Sequence, residues 1–470
     1  MSVTPLWTAA AIAAVTDGRL VGADCAVTGI SIDTRSLQPG DAFIALHGPN
    51  FDGHNFVADA RAKGASCIIA EKGDAPGTIL VADTLRALQD LGQGSRARSH
   101  AKIFAVTGSV GKTSTKEMLA RCLSVLGMTH AAQASLNNQW GVPLSLARMP
   151  EGAQFGVFEL GMNHANEISP LSKMVAPHVA LITTIASAHI EHLGSLENIA
   201  RAKAEIFHGM DAGGIAVLPR DNAQFPLLLA EARTQGLQQI VTFGTHAESD
   251  MRLLEARIDE ESTQVRCVFQ SREYTFTLGM AGAHHAMNAL AVLSAVAHVT
   301  PHFEKVFPAL QKMQPVLGRG NRYRYRLHDS KPPVMVIDET HNASPIAVHA
   351  ALEVLAHIPT SGRRLAVLGD MLELGDAAAQ EHAALKEPIL AAHVDHVFTC
   401  GNRMAYLAEV LPFGRNTHFA DSAALAAQIG ELVRPGDILL VKGSRGSKMR
   451  LVIDALQHLS QSEEKALSLG

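Results

Sequence analysis

The chain has 470 residues, 47% of them apolar and 18% charged, with a formal net charge of −5. That length points to two or three domains, and the composition to a well-cored globular protein. The acidic balance argues against a general nucleic-acid binder, and with only 5% aromatics the cores must be Ala, Val, Leu and Ile.

The opening MSVTPLWTAAAIAAVTDG has no basic leading region and no clear cleavage site. It predicts a short amphipathic helix ending at Asp17-Gly18, not a signal peptide. No apolar run is long enough to span a bilayer. Cys25, Cys67, Cys122, Cys267 and Cys400 are scattered and form no C-x-x-C pair. They predict reduced, buried thiols in a cytoplasmic protein.

Residues 1–100 hold short strands and turns (SIDTRSLQPGDAFIAL), then a helix and strand (FVADARAKGASCIIA). The polar stretch GQGSRARSHAK reads as the start of a linker. Residues 101–313 alternate strand, loop and helix. IFAVT is a strand, KTSTKEMLARCLSVLG a helix closed by Gly127, and FGVFEL and VALITTI further buried strands. SLENIARAKAEIFHGM predicts one helix with Ser195 as its N-cap. Such alternation implies a parallel sheet covered on both faces. MRLLEARIDEESTQVRCVFQSREYTFTLGM alternates apolar and polar residues, as antiparallel strands at an edge or in a small insertion do. Residues 314–470 repeat the alternation through VMVID, PIAVHAALEVLAHI, RRLAVLGD, HVFTCG, DILLVKG and a last helix from about Ser447. The fold class is therefore α/β in three domains: a central parallel-sheet phosphate-loop ATPase domain, a C-terminal Rossmann-like domain and a smaller N-terminal one.

IFAVTGSVGKTS sets Thr107, Gly108, Ser109, Val110, Gly111, Lys112, Thr113 and Ser114 between a strand and a helix. Backbone N–H groups and the helix start face an anion there. Lys112 adds a positive charge, and the Thr113 hydroxyl reaches Mg²⁺. The full G-x-x-x-x-G-K-[ST] pattern is not met, because Val106 takes the first glycine's place. The strand-to-helix setting is what makes the shorter T-G-x-x-G-K-T specific for ATP; the bland reading is a glycine turn with an exposed lysine. Glu159 ends a strand, and strand C-termini in parallel sheets converge on the ligand crevice. It reads as a Mg²⁺ ligand or a solvated carboxylate. His189 and His192 flank Glu191, which suggests a zinc pair without further ligands, an ordered loop, or a second Mg²⁺ ligand at His189. Lys203 sits mid-helix, where a solvated or snorkelling side chain is the usual outcome.

Several segments occur in one order: TGSVGKTS, ELGMNH, SAHIEHLGS, ARAKAEIF, HHAMNALA, LGRGNR, VIDETHNASP and LGDMLELG. In that order the chain resembles the Mur ligases, ATP-dependent amide-bond ligases of bacterial cell-wall synthesis, over nearly its whole length. SIDTRSLQPGDAFIALHGPNFDGHNF is similar to the uridine-nucleotide domain of members adding later residues. LGDMLELG with VKGSRGSKM is similar to members whose amine is D-alanyl-D-alanine, and the D-N-P-R-type motif of those adding the third residue is missing. The resemblance implies a UDP-N-acetylmuramoyl tripeptide as the other substrate, ATP and Mg²⁺ as cofactors, and a monomer that binds no nucleic acid.

Roles follow from the resemblance residue by residue. Lys112 would bind the β/γ-phosphates. Thr113 and Glu159 would hold one Mg²⁺ and His189 a second. Lys203 would be carbamylated. Asn288 would meet the nucleotide, and Arg319 and Asp338 would reach ATP as the domains close. Lys112, Lys203, His189 and Arg319 form the expected catalytic set. Asn137 and Asn138 would face the muramoyl substrate, and Ser31, Asp33, Thr34 and Arg35 the uridine diphosphate. Departures from the family pattern stand at His285, His341, Thr184 and Ser135. The competing readings are a Mur-type ligase for another carboxylate and amine, and an ATPase that needs no amine.

Overall fold

The computed structural model describes residues 5–48, 51–188, 190–327 and 332–468. Among these, three larger sheets organise the chain. The first has five strands in the order Arg19–Val21, Thr78–Leu80, Cys67–Ala70, Asp41–Ile44 and Gly29–Ser31, parallel except for the first pair. The Thr84–Arg98 helix packs on it through Leu88 and Leu91. Its Asp83 cap accepts from Arg86 N–H. GQGSRAR is thus the last part of a helix and not a linker. Its glycines mark close packing: a Cβ at Gly92 would lie 3.0 Å from the Pro143 carbonyl oxygen. Leu144 and Ala147 of the Gly141–Ala147 helix share this core, and Trp7 Nε1 donates to the Ala147 carbonyl.

The central sheet has nine strands. Lys102–Thr107 lies inside it, flanked by Phe155–Glu159 and Val179–Ile182, all parallel. The chain leaves Lys102–Thr107 toward one edge, at Thr129–Ala131, and later crosses to the other side. The switch point therefore falls at the C-terminal end of Lys102–Thr107, where open α/β sheets bind ligands. Met251–Ile258, Thr263–Phe269 and Arg272–Leu278 finish one edge, the last two antiparallel, as their alternation predicts. Apolar cores cover both faces.

SLENIARAKAEIFHGM does not stay one helix. Ser195 caps Leu196–Ala204, and a 3₁₀ segment follows at Glu205–Gly209. The cause is Glu205, which turns inward. Its carboxylate accepts from the N–H groups of Asn166, Ile168 and Ser169 and so caps the Ile168–Val175 helix. The third sheet runs Asn321–Tyr325, Val334–Glu339, Ile438–Lys442, Arg364–Gly369, His396–Cys400 and Asn416–Phe419, parallel after the first pair. Helices cover both of its faces. Four cysteines are buried, but Cys25 is partly exposed, on the short segment before Ala26–Val27. No helix is long and apolar enough to cross a membrane.

His130, in the edge strand, bonds through Nε2 to the Ser145 carbonyl at 2.8 Å. Burial, partly offset by that bond, pulls its pKa from 6.5 to about 4. Below the ordinary value the unfolded chain takes up a proton that the folded chain refuses until the lower one. Stability is expected to hold above this window and to fall by about 3 kcal/mol as pH drops through it. His130→Gln should flatten that part of a plot of Tm against pH; an unchanged slope would contradict the assignment.

Candidate active site

The phosphate loop joins Lys102–Thr107 to the Lys112–Ser124 helix. Gly111 has φ +81, and a Cβ there would lie 2.9 Å from Asn288 Oδ1. Only glycine permits both the turn and that approach. The loop is braced from the next strand: Ser109 Oγ donates to the Ala186 carbonyl, and Thr183 Oγ1 to the Val110 carbonyl. The first N–H groups of the helix have no intrahelical acceptor and are available to an anion. Lys112 Nζ folds back on the Gly108 and Ser109 carbonyls at 2.7 and 3.3 Å. Burial lowers its pKa, Glu159 opposes this and Arg319 adds to it.

Glu159 is 1% exposed. Its Oε2 accepts from Thr113 Oγ1 at 2.8 Å, and its Oε1 from Asn137 Nδ2 at 2.7 Å. A buried carboxylate beside a hydroxyl offers the hard oxygens that Mg²⁺ prefers. Arg319 crosses from the third sheet's side, and its Nη2 donates to Thr113 Oγ1 at 3.1 Å. Burial lowers its pKa, and Glu159 and Glu339 oppose this in part. These groups line a cavity of about 430 Å³, with Ser109 to Ser114, Asn137, Asn288 and Arg319 all at its wall.

Other predicted residues sit elsewhere. Thr107 and Gly108 form the base of the loop, behind the wall. Asp338 is buried and does not line the cavity. Its carboxylate accepts from Thr340 and from Arg450 Nη1 at 2.9 Å, and its neighbour Glu339 faces the cavity instead. Asn138 Oδ1 accepts from the N–H groups of Trp140 and Gly141, so it caps the Gly141–Ala147 helix. Lys203 is 1% exposed, not solvated. No acceptor among the described residues bonds its amine, and burial followed by nearby Lys112 holds its pKa well below the usual lysine value. His189 lies outside the described residues.

Ser31, Asp33, Thr34 and Arg35 form one turn of the first sheet. Ser31 Oγ donates to the Asp33 carbonyl, and the Asp33 carboxylate pairs with the exposed Arg35 guanidinium. The Thr34 carbonyl accepts from Lys63 Nζ. Arg148 bonds both Ile30, at the start of this turn, and Gln133. Phe51 meets Trp140 edge-on. Arg148 thus ties the turn to the segment that leads to Asn137 and Asn138.

Sequence reasoning missed Glu339 and Lys442, whose side chains pair at 3.0 Å on the cavity wall. Both end parallel strands, the same signal that singled out Glu159. His284 was also missed. It lies on His285 with ring centres 3.9 Å apart, both at the wall and both pushed toward the neutral form by burial. Of the departures, Ser135 Oγ lies 3.4 Å from Thr113 Oγ1, and Thr184 accepts from Asn222. His341 is pushed down to about 4 by burial and by Arg319 and Arg445. A second cavity of about 340 Å³ adjoins the phosphate loop at Ser109 and Val110 and is lined by Leu372 to Leu374 and Ser444 to Gly446. Among the described residues His47, His54 and Glu71 also cluster as metal ligands would. His54 already uses both ring nitrogens, on Asp52 and on the Glu71 N–H.

An ATP-type loop, a buried acid and an arginine from a second α/β sheet define a nucleotide-dependent enzyme that works between domains. Residues 106–296 match the Mur ligase middle domain, 323–445 the Mur ligase glutamate ligase domain, and 26–91 the Mur ligase family catalytic domain. The chain is 33% identical over 449 residues to the Escherichia coli UDP-N-acetylmuramoyl-tripeptide–D-alanyl-D-alanine ligase, covering 94% of this chain and 96% of that one. It is 33% identical to the Bacillus subtilis enzyme of the same name, covering 92% and 93%. Its fold matches a crystal structure of MurF from Acinetobacter baumannii with TM-score 0.84 at 32% identity, over 97% of this chain and 100% of that one. It matches MurF ligase from Thermotoga maritima in complex with ADP with TM-score 0.75 at 26% identity, over 93% and 98%. The chain belongs to the Mur ligase family.

Proposed function

We propose that this protein adds D-alanyl-D-alanine to a UDP-N-acetylmuramoyl tripeptide, consuming ATP and releasing ADP and phosphate, in peptidoglycan precursor synthesis. The observation that carries the reading is the junction of two cavities at the phosphate loop. One holds Lys112, Glu159 and Arg319, and the other is walled by the Leu372–Leu374 and Ser444–Gly446 loops. That junction supports a reading in which phosphoryl donor and amine meet at one point. The identity of the amine and of the tripeptide follows from the names of the full-length relatives.

The tripeptide's carboxylate attacks the γ-phosphate, and ADP leaves. The acyl phosphate that forms is the activated electrophile a free carboxylate is not. The amine then attacks its carbonyl carbon, and inorganic phosphate leaves. Lys112 and the loop N–H groups oppose charge on the transferring phosphoryl group. Thr113 and Glu159 would hold Mg²⁺, which supplies charge neutralisation there when bound. Asn137 fixes Glu159. Arg319 brings the third sheet over the loop and keeps water from the acyl phosphate. Asn288 and the neutral His284–His285 pair suit the nucleoside end. The turn Ser31–Arg35 suits the uridine diphosphate, and a carbamylated Lys203 adds an anion behind Lys112. We read the first domain as ending near residue 100 and the second near 313. The protein acts as a cytoplasmic monomer in this reading.

The test is phosphate release with each substrate omitted in turn and the product weighed by mass spectrometry. ADP formation that ignores the amine would refute the ligase. Arg445 is exposed beside the second cavity, and its guanidinium has no hydrogen-bond partner among the described residues. It suits the carboxylate of the dipeptide. Arg445→Ala is expected to raise KM for D-alanyl-D-alanine about tenfold and leave KM for ATP alone. Equal changes in both would remove Arg445 from the amine site.

A further inference from the structure

Lys116 stands one turn beyond Lys112 on the Lys112–Ser124 helix, so the two lysines share a face. Their fates differ. Lys112 lines the cavity and Lys116 does not. Lys116 is 0% exposed. An ammonium group carries three protons and accepts nothing. Here each proton has its own acceptor: the Glu117 carboxylate at 2.5 Å, the Ala132 carbonyl at 2.5 Å and the Ala134 carbonyl at 2.9 Å. None is left for a phosphate, so a second phosphate-binding lysine is the wrong description.

Two of the three acceptors lie on the segment that leads to Asn137. Within it Ala134 has φ +47, a left-handed conformation that alanine keeps only when its surroundings hold it. Lys116 bonds the carbonyl of that very residue. The held turn then delivers two side chains to the site. Ser135 Oγ comes within 3.4 Å of Thr113 Oγ1, and Asn137 donates to Glu159, which in turn accepts from Thr113. The contacts close a circuit. It leaves the helix at Lys116, runs through the segment, and returns to the same helix at Thr113.

We propose that Lys116 is a positioning residue that locks the Ala132–Asn138 segment to the phosphate-loop helix, so that Asn137 and Glu159 keep the orientation in which acceptor carboxylate and phosphoryl donor meet. The substrate named rests on the ligase reading; the anchor rests on the contacts alone. The test is Lys116→Met in the full chain. Its side chain fills the space but donates nothing. Amide hydrogen exchange across 132–138 should speed up about tenfold, with 118–123 unchanged. The kcat should fall about tenfold and KM for the UDP-muramoyl tripeptide rise, while KM for ATP stays within about twofold. Adding Ala134→Gly supplies a residue that takes positive φ unaided, and should restore part of the lost kcat. Exchange across 118–123, measured on the same samples, separates this local relief from a gain in global stability. If Lys116→Met fails to fold, Glu117→Ala removes one acceptor from the partly exposed side and should show the same pattern more weakly. Wild-type exchange across 132–138 in a folded variant, or equal losses toward both substrates, overturns the anchor. Wild-type protein without amine-dependent phosphate release refutes the ligase reading, and the exchange measurement still decides the anchor.

Discussion

Lys112→Ala is expected to lower kcat/KM for amine-dependent phosphate release by about a thousandfold or more while the protein stays folded. The ammonium is buried at the mouth of a helix whose first N–H groups face the same point, and no other lysine can replace it. Lys116 has spent its three protons elsewhere. Lys442 is paired with Glu339 and with the Asn342 carbonyl. Arg319 reaches Thr113 from the opposite side. The fold depends little on Lys112, because its hydrogen-bond partners are two carbonyls of its own loop. A melting curve close to wild type, together with lost turnover and weakened ADP binding by calorimetry, is the expected combination. A folded variant with substantial activity would remove the phosphate-loop assignment.

The loop was legible because all its determinants are local: a buried strand, two glycines, a lysine and a helix start within a dozen residues. Glu159 was legible from the rule that parallel strands end at the crevice. The same rule applied to VMVIDE and ILLVK marks Glu339 and Lys442; Asp338, one place earlier, turns its carboxylate to Arg450. What stayed hidden is tertiary. Gly92 reads as a linker residue until Pro143 is seen against it. The helix ends at Ala204 because Glu205 caps another helix remote in sequence. Asn138 also caps its own helix, and Cys25 packs against the first core only from its rim. Lys116 and Lys203 carry no mark of burial, since a lysine on a helix ordinarily reaches water. Both are enclosed because their helices are covered on two sides, which one helix's periodicity does not reveal.

Lys203 is where that concealment has the largest consequence, and Lys203→Ala is expected to cost about a hundredfold or more in kcat. The side chain is 1% exposed, and its amine has no hydrogen-bond acceptor among the described residues. Burial and then the Lys112 ammonium disfavour its charged form, so its pKa is lowered well below the usual lysine value and the neutral, nucleophilic amine is favoured. A neutral amine can attack the carbon of CO₂; the nitrogen loses a proton, and a carbamate anion results. Beside the Lys112 ammonium the carbamate would gain an attraction that the neutral amine lacks, and it would offer oxygens to a metal ion. Removing dissolved CO₂ and bicarbonate should therefore lower the activity of the wild-type enzyme, and adding bicarbonate should restore it. Labelled bicarbonate should give a carbamate resonance in carbon NMR that Lys203→Ala lacks, and the variant's residual activity should ignore bicarbonate. The assignment would be refuted by a wild-type sample that shows no carbamate signal while fully active, or by a Lys203→Ala enzyme within a few-fold of wild type.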